Sequence, residues 1–497
     1  MKTLKTNKGE RGLAVIMTVL TMMISLPLVG LAFDVGILYM IRGKLYQSVD
    51  AAALAGARAL GTGADGPTQK SNAQAAATKY FNANYPTNFW GTISVNFPTP
   101  TVDDTTVPNY RTVTTSATIV APLYFLRMLG QNTAVVAASS QAGRRDALVM
   151  LVLDRSYSML NTFQSTTACA IMKTDAAQFV TNFSQGRDMV GLVIFGSSAY
   201  VYPPTTSFGT PDANGNTVAS LIGQIVCNGN TNMVEAMHQA YAQIQAVNAS
   251  TRANVIVLMT DGRPNGFTGN YSAYKKGACK NNAPSPNPLR GVYAQWNGGP
   301  LPVGQAGTTA GLMLWSAPNA GYNADAVTPD ANNNCQMKST GDLTNGHNDL
   351  KQMPAADVYG NSTTGPYSAN NPNSPYNSTD LTSKLTSITV PSWVEDASSN
   401  AVDNQGTTIR TNATLKPSIY TIALEGNAPS DPPDTLLLRK LANDPSMEND
   451  PDSTTRTMWA AQNPGQTRGY FVDAPDPGEL CAAFNQIATQ IVVRLSK

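Results

Sequence analysis

Five oxygen-bearing side chains carry the clearest chemistry in this chain. Asp154, Ser156 and Ser158 form a D-x-S-x-S run, Thr231 follows within Gly229-Asn230-Thr231-Asn232, and Asp261 sits in Thr260-Asp261-Gly262. Alternate residues of extended backbone point the same way, so Asp154, Ser156 and Ser158 can converge on one point. Thr231 and Asp261 would reach that point from neighbouring segments. Such a set offers hard oxygens only, the donors of Mg2+ or Mn2+ rather than of zinc. Two carboxylates and three neutral hydroxyls under-coordinate the ion and leave a position for water or for a partner's carboxylate. The competing reading of D-x-S-x-S alone is a helix cap, because Asp and Ser are favoured there.

Other chemistries find less footing. A hydrolase needs a poised base, usually histidine, and the chain has only His238 and His347. His238 falls in a helical pattern of apolar character, where a core role is expected. There is no G-x-S-x-G, no Walker-type loop and no H-E-x-x-H. Ser272 to Lys275 fits S-x-x-K but lies in a loop-rich stretch and reads as chance. Asp212, Asn214 and Asn216 resemble part of a calcium loop without its later Gly and Glu, and read as a turn. The expectation is a binding protein, not an enzyme. With a formal net charge of +1, nothing points to nucleic acid.

The elements that must position the five donors are legible from Ala147 onward. Continuous apolar runs at Ala147–Leu153, Met189–Phe195, Asn254–Met259 and Ser418–Leu424, with a shorter one at Tyr470–Val472, predict strands buried on both faces. Helical patterns lie between and after them at Ile171–Phe183, Val218–Ile225, Met233–Val247, Thr435–Leu441 and Glu479–Leu495. Strand and helix in alternation predict a doubly wound α/β fold. Ligands bind such folds beyond the C-terminal ends of the strands, which is where Asp154 and Asp261 stand.

With that context the segment resembles the von Willebrand factor A (vWA) family, whose metal ion-dependent adhesion site reads D-x-S-x-S…T…D. The resemblance implies that Ser156, Ser158 and Thr231 ligate Mg2+ or Mn2+ directly, and that Asp154 and Asp261 act mainly through water. It also implies a protein partner that contributes an acidic group to the ion. A vWA fold whose loop is closed by internal hydrogen bonds is the alternative.

The N-terminus carries a second signal. Leu13–Phe33 is a charge-free stretch that would span about 31 Å as a helix, against a hydrocarbon core of ~30 Å. Lys2, Lys5, Lys8 and Arg11 precede it, which keeps residues 1–12 cytoplasmic. A cleaved signal peptide is the competing reading, with Gly30 and Ala32 as small residues before a cut. The apolar stretch exceeds a usual signal core, and the helical pattern runs on through Ile37, Ile41, Leu45, Val49 and Leu60. Arg11-Gly12-Leu13-Ala14-Val15, Asp34-Val35-Gly36, Tyr39, Leu45 and Asp50 to Ala57 resemble the N-terminal region of TadE/TadG-like Flp (Tad) pilus-assembly proteins. The match covers the first 60 residues. Glu10 directly follows Gly9, so the pseudopilin processing site of that family is not matched, as in the TadG-like branch. The resemblance implies a single-pass bacterial inner-membrane protein with its bulk periplasmic or extracellular, and other pilus-assembly components as partners.

The chain of 497 residues then divides as follows. A cytoplasmic tail (1–12), a transmembrane helix (13–33) and a continuing helix (34–60) precede a small β-rich, pilin-like region (61–146). Strands are expected there at Thr92–Val95, Tyr110–Thr118 and Thr133–Ala138 from their period-two alternation. The vWA-like core takes 147–263 and 416–497, interrupted by an Asn/Ser/Pro-rich insertion at 264–415. That insertion begins beside Asp261 and either shapes partner specificity or is a tolerated surface excursion. Charged residues make up only 13% of the chain, about half the usual share, which suits an exported, loop-rich protein. Outside the cytoplasm disulfides are permitted. Cys169–Cys227 and Cys279–Cys335 are the pairings expected, with Cys481 a buried free thiol. Two functional classes remain open: a metal-dependent binding module, or a metal-free scaffold of a pilus machine.

Overall fold

The computed structural model describes residues 8–271, 289–294, 312–315, 354–365, 391–425, 432–451 and 465–495. The chain forms two compact units that divide between Arg144 and Arg145.

The first unit opens with helix α1 (Lys8–Ala59), 52 residues without a break. From Leu13 to Phe33 its side chains are apolar or small and exposed, Gly30 excepted. The helix is long and apolar enough to cross a membrane, with a mean hydropathy of 2.2 in its most apolar stretch. Beyond Phe33 its character changes. Ile37, Ile41, Leu45, Val49 and Ala52 recur every three or four residues and are buried with Ala77, Phe81 and Ile119.

Where the sequence pattern suggested strands alone from residue 61, the structure places helix α2 (Gly66–Asn84) first. Asp65 caps it by accepting from the Thr68 N–H at 2.8 Å, and Gln69, Ala73, Ala77 and Phe81 face inward at four-residue spacing. Only one of those four is large and apolar, so the periodic signal was faint. Gly56 lets α1 approach the sheet closely, since a Cβ there would lie 2.8 Å from Val113 Cγ1. Strands β1 (Ile93–Asn96), β2 (Thr101–Val107), β3 (Tyr110–Pro122) and β4 (Thr133–Arg145) follow. The long β3 pairs with each of the other three. Every second residue from Arg111 to Ala121 is buried, one wet face and one dry, as the alternation predicted.

The second unit is a three-layer α/β/α domain. In chain order it contains β5 (Ala147–Asp154), α3 (Ala168–Val180), β6 (Met189–Phe195), β7 (Ala199–Thr205), α4 (Val218–Gly223), α5 (Met233–Val247) and β8 (Ala253–Thr260). Next come β9 (Gly266–Tyr271), β10 (Leu289–Ala294), β11 (Leu312–Trp315), α6 (Pro391–Arg410), β12 (Ser418–Leu424), α7 (Thr435–Ala442), β13 (Tyr470–Ala474) and α8 (Leu480–Leu495). The main sheet runs β13-β12-β8-β5-β6-β7, parallel except for β7. All eight residues of β5 are buried. Leu148, Met150 and Val152 pack under residues of α5, α6 and α7. Val149, Leu151 and Leu153 pack under α3, α4 and α8 on the other face. This is why the sequence showed an unbroken apolar run rather than alternation.

Three features depart from the sequence reading. Edge strand β7 was not expected; its Pro203 and Pro204 fit an edge, where a missing ladder donor is tolerated. Helix α6 lies inside the stretch read as insertion, yet Ala397, Ala401, Val402 and Ile409 are part of the core. Its Ser- and Asn-rich face concealed it, because those side chains bind backbone: Asn400 and Asn404 Nδ2 donate to the carbonyls of Thr363 and Ser362 at 3.2 Å each. Strands β9, β10 and β11 build a small antiparallel sheet within the same stretch, with Phe267 buried in the core. The expected pair Cys279–Cys335 and the S-x-x-K at Ser272 lie outside the described residues, as does His347.

Candidate metal centre

Asp154 is the last residue of β5 and is fully buried. Parallel pairing with β6 and β8 carries it to the C-terminal edge of the sheet, where the next residues leave as a loop. Its Oδ1 accepts from the Ser156 N–H at 2.7 Å and its Oδ2 from the Thr260 hydroxyl at 2.6 Å. Burial pushes its carboxyl up to about 6, against the hydrogen bonds from Thr260 and Ser156 and the Arg155 charge. A negative charge here gains from a cation.

The hydroxyls of Ser156 and Ser158 are 2.9 Å apart, and the Ser158 hydroxyl donates to Asp261 Oδ1 at 2.6 Å. Asp261 is fully buried just past the end of β8. Thr231 is held in the loop before α5 by two bonds: its N–H donates to Asn265 Oδ1 at 2.7 Å, and its carbonyl accepts from the Asn265 N–H at 3.0 Å. A Cβ built on Gly262 would lie 3.8 Å from both Ser158 Oγ and Thr231 Oγ1, so the two hydroxyls flank one spot. The structure thus brings all five sequence-derived residues, Asp154, Ser156, Ser158, Thr231 and Asp261, to one end of the sheet.

The donor set fits Mg2+ or Mn2+. It is made of oxygen alone, and among the described residues no group of three His, Cys, Asp or Glu offers a rival site. Neighbouring ligands of an octahedral Mg2+ at ~2.1 Å stand roughly 3 Å apart. The 2.9 Å separation of the Ser156 and Ser158 hydroxyls is close to that edge length.

A supporting ring holds the loops. The Arg155 N–H donates to Phe195 O at 2.8 Å, its carbonyl accepts from the Asn228 N–H at 2.6 Å, and the Tyr157 N–H donates to Gly229 O at 2.9 Å. The buried Arg155 guanidinium reaches the carbonyls of Val226 and Asn228. Next to them Cys227 is joined to Cys169, as expected from the sequence. Asn230 donates to Ser197 Oγ through both its N–H and its amide, and Asn232 caps α5 while donating to Ser197 O and Thr268 Oγ1. The sequence reading missed Thr260, Asn265, Ser197 and Asn232 in these roles. Thr260 and Asn232 adjoin motif residues, whereas nothing in the sequence marks Asn265 or Ser197.

Residues 149–263 match the family model of the von Willebrand factor type A domain. The matched vWA segment contains all five candidate residues, most of β5 and the whole of β6, β7 and β8. No curated protein matches the chain. Among solved structures, the PilB minor pilin from Streptococcus sanguinis is 15% identical at a TM-score of 0.35, covering 82% of this chain and 79% of that one. The pilus adhesin SpaC from Lactobacillus rhamnosus GG is 13% identical at 0.34, and the overlap covers 83% of this chain but 36% of the adhesin. The vWF domain of the type V pili tip protein Mfa5 from Porphyromonas gingivalis is 14% identical at 0.32, covering 71% of this chain and 97% of that domain.

Three further expectations have their outcome here. His238 is half-buried rather than in the core, and stacks on Tyr359 with ring centroids 3.6 Å apart. Asp212 Oδ1 accepts from the N–H groups of Asn214 and Asn216, so that stretch is an Asx-type turn. Cys481 is free but half-buried rather than buried, because it stands on the first turn of α8 near Gln178 instead of facing the sheet.

Proposed function

We propose that this chain is a membrane-anchored, extracytoplasmic protein-binding module of a pilus-type system, and that its vWA domain grips an acidic group of its partner through Mg2+ or Mn2+. Ser156, Ser158 and Thr231 would hold the ion, with Asp154 and Asp261 behind them. The ion would supply a positive, ligand-deficient position at the surface. The observation that carries this reading is the chain of oxygens from Ser156 through Ser158 to Asp261, with Thr231 beside it, at the C-terminal edge of a buried parallel sheet. The pilus assignment draws on the resemblance of the first 60 residues to TadG-like proteins, and the anchor on the apolar part of α1.

A second reading has its own support. Both oxygens of Asp154 are already hydrogen-bonded, and the Ser158 hydroxyl already donates to Asp261. A loop closed in this way also serves as a metal-free docking surface for pilus components.

Thermal melting of the detergent-purified full chain separates the two. After chelation, Mg2+ or Mn2+ at 100 times its dissociation constant should stabilise the protein by roughly 2.7 kcal/mol. The rise should vanish in Ser158→Ala and in Asp261→Asn. A flat response in all three proteins would favour the metal-free scaffold.

A further inference from the structure

The connection between β3 and β4 is a short 3-10 turn, Leu126–Leu129, in the stretch Leu123-Tyr124-Phe125-Leu126-Arg127-Met128-Leu129. Leu123 turns into the unit, but most of the apolar side chains after it do not. Met128 is 87% exposed and Leu129 70%, with Tyr124 and Phe125 close to half exposed. A soluble surface seldom shows so concentrated an apolar patch.

The turn is bound to the apolar stretch of α1. Asp34, buried at the boundary of that stretch, accepts from the N–H groups of Tyr124, Phe125 and Leu126 at 2.8–3.0 Å. Phe125 meets Phe33 edge-on at 5.5 Å, and Gly30 makes room for it, since a Cβ there would lie 2.7 Å from the Phe125 ring. From this seat the turn runs back along α1 toward its N-terminus. Leu126, Met128 and Leu129 line an apolar groove of about 400 Å³ together with Met22, Leu26 and Pro27. At ~1.5 Å per residue, Leu26 stands about 12 Å closer to the cytoplasmic end than Asp34.

Irregular backbone survives in hydrocarbon only where its polar groups are satisfied from within the protein. Here they largely are. Beyond the three donors on Asp34, the N–H groups of Leu123, Met128, Gly130 and Gln131 all donate to carbonyls of the same loop.

We infer that the Leu123–Leu129 turn is a second membrane-embedded element, inserted into the outer leaflet beside the transmembrane part of α1, with lipid acyl chains as the occupant of its groove. Asp34 is the pin that fixes its depth. Tyr124, whose hydroxyl donates to the Trp90 carbonyl, and Trp90 itself supply amphipathic rings at the polar end, where such residues gather. The element gives the protein a two-point attachment, so that the second point resists rotation of α1 about its own axis.

The inference rests on the membrane-anchor reading proposed above, and the test separates the two. The full chain carries Cys279→Ser, Cys335→Ser and Cys481→Ser, and receives one nitroxide label at a time through Met128→Cys, Leu129→Cys, Leu20→Cys or Lys79→Cys. It is reconstituted into phosphatidylcholine vesicles, and label collisions with oxygen and with a polar nickel chelate are measured. Leu20 is the lipid reference and Lys79, exposed on α2, the water reference. Because hydrocarbon excludes polar solutes, the oxygen-to-nickel ratio at Met128 and Leu129 should match that at Leu20 and exceed that at Lys79 by roughly tenfold. Ratios at 128 and 129 equal to that at Lys79, with Leu20 still in lipid, would overturn the inference and leave the anchor standing. Shielding from both colliders would show a protein surface over the turn, not lipid, and would overturn it as well. A watery Leu20 would remove the anchor reading and the inference together.

Discussion

A buried carboxylate at the end of a strand is costly unless something balances its charge, and Asp154 makes that cost measurable. Its carboxyl, pushed up to about 6 by burial, is more basic in the folded protein than in the unfolded chain, where the ordinary value is 3.8. Folding therefore favours the protonated form. Its stabilising contribution is fully present below about pH 3.8 and is lost as pH rises through about 6. Without metal, the melting temperature should fall between pH 4 and pH 7 by the equivalent of on the order of 3 kcal/mol from this residue. Asp154→Asn, which cannot titrate, should flatten that part of the profile, and saturating Mg2+ should lift the wild-type curve most at the high-pH end. Equal pH profiles for the two proteins would place the charge balance elsewhere. The placement of the five candidate residues at one end of the sheet was legible in the sequence, because motif and strand ends coincide. Asn265 and Ser197 were not, since a side chain that bonds a distant loop leaves no local pattern.

At the scale of elements, the loop under the site is fastened twice. Cys227 is covalently joined to Cys169, 58 residues away on α3, and the adjacent Asn228 donates its N–H to the Arg155 carbonyl and accepts from the Arg155 guanidinium. Closing a loop of that length should contribute about 4 kcal/mol by its effect on the unfolded chain. The double replacement Cys169→Ala/Cys227→Ala should therefore lower denaturant stability by that order. It should also weaken the response to Mg2+, because the Arg155 loop then moves. Loss of stability with an unchanged ion affinity would show that the staple serves the fold alone. Legibility at this scale followed burial. Strands buried on both faces announced themselves as unbroken apolar runs. Helices α2 and α6 did not, because small and polar residues fill most of their inward positions.

For the molecule as a whole, the proposed membrane anchor in the apolar part of α1 sets the first test. Removing residues 1–33 should shift the protein from a carbonate-resistant membrane pellet to the soluble fraction while its Mg2+ response persists. A full-length protein already soluble, with an N-terminus near residue 33, would show a cleaved leader instead. The sequence by itself determined the apolar segment, the doubly wound core and the five oxygen donors, because each is written in local periodicity or in short-range spacing. Only the tertiary structure decided that α6 belongs to the core, that Asp34 pins a distant turn, that Asp261 meets Ser158, and that Thr231 and Ser158 flank Gly262. Those are contacts between residues far apart in the chain, and they come to exist only when burying the apolar faces brings the segments together.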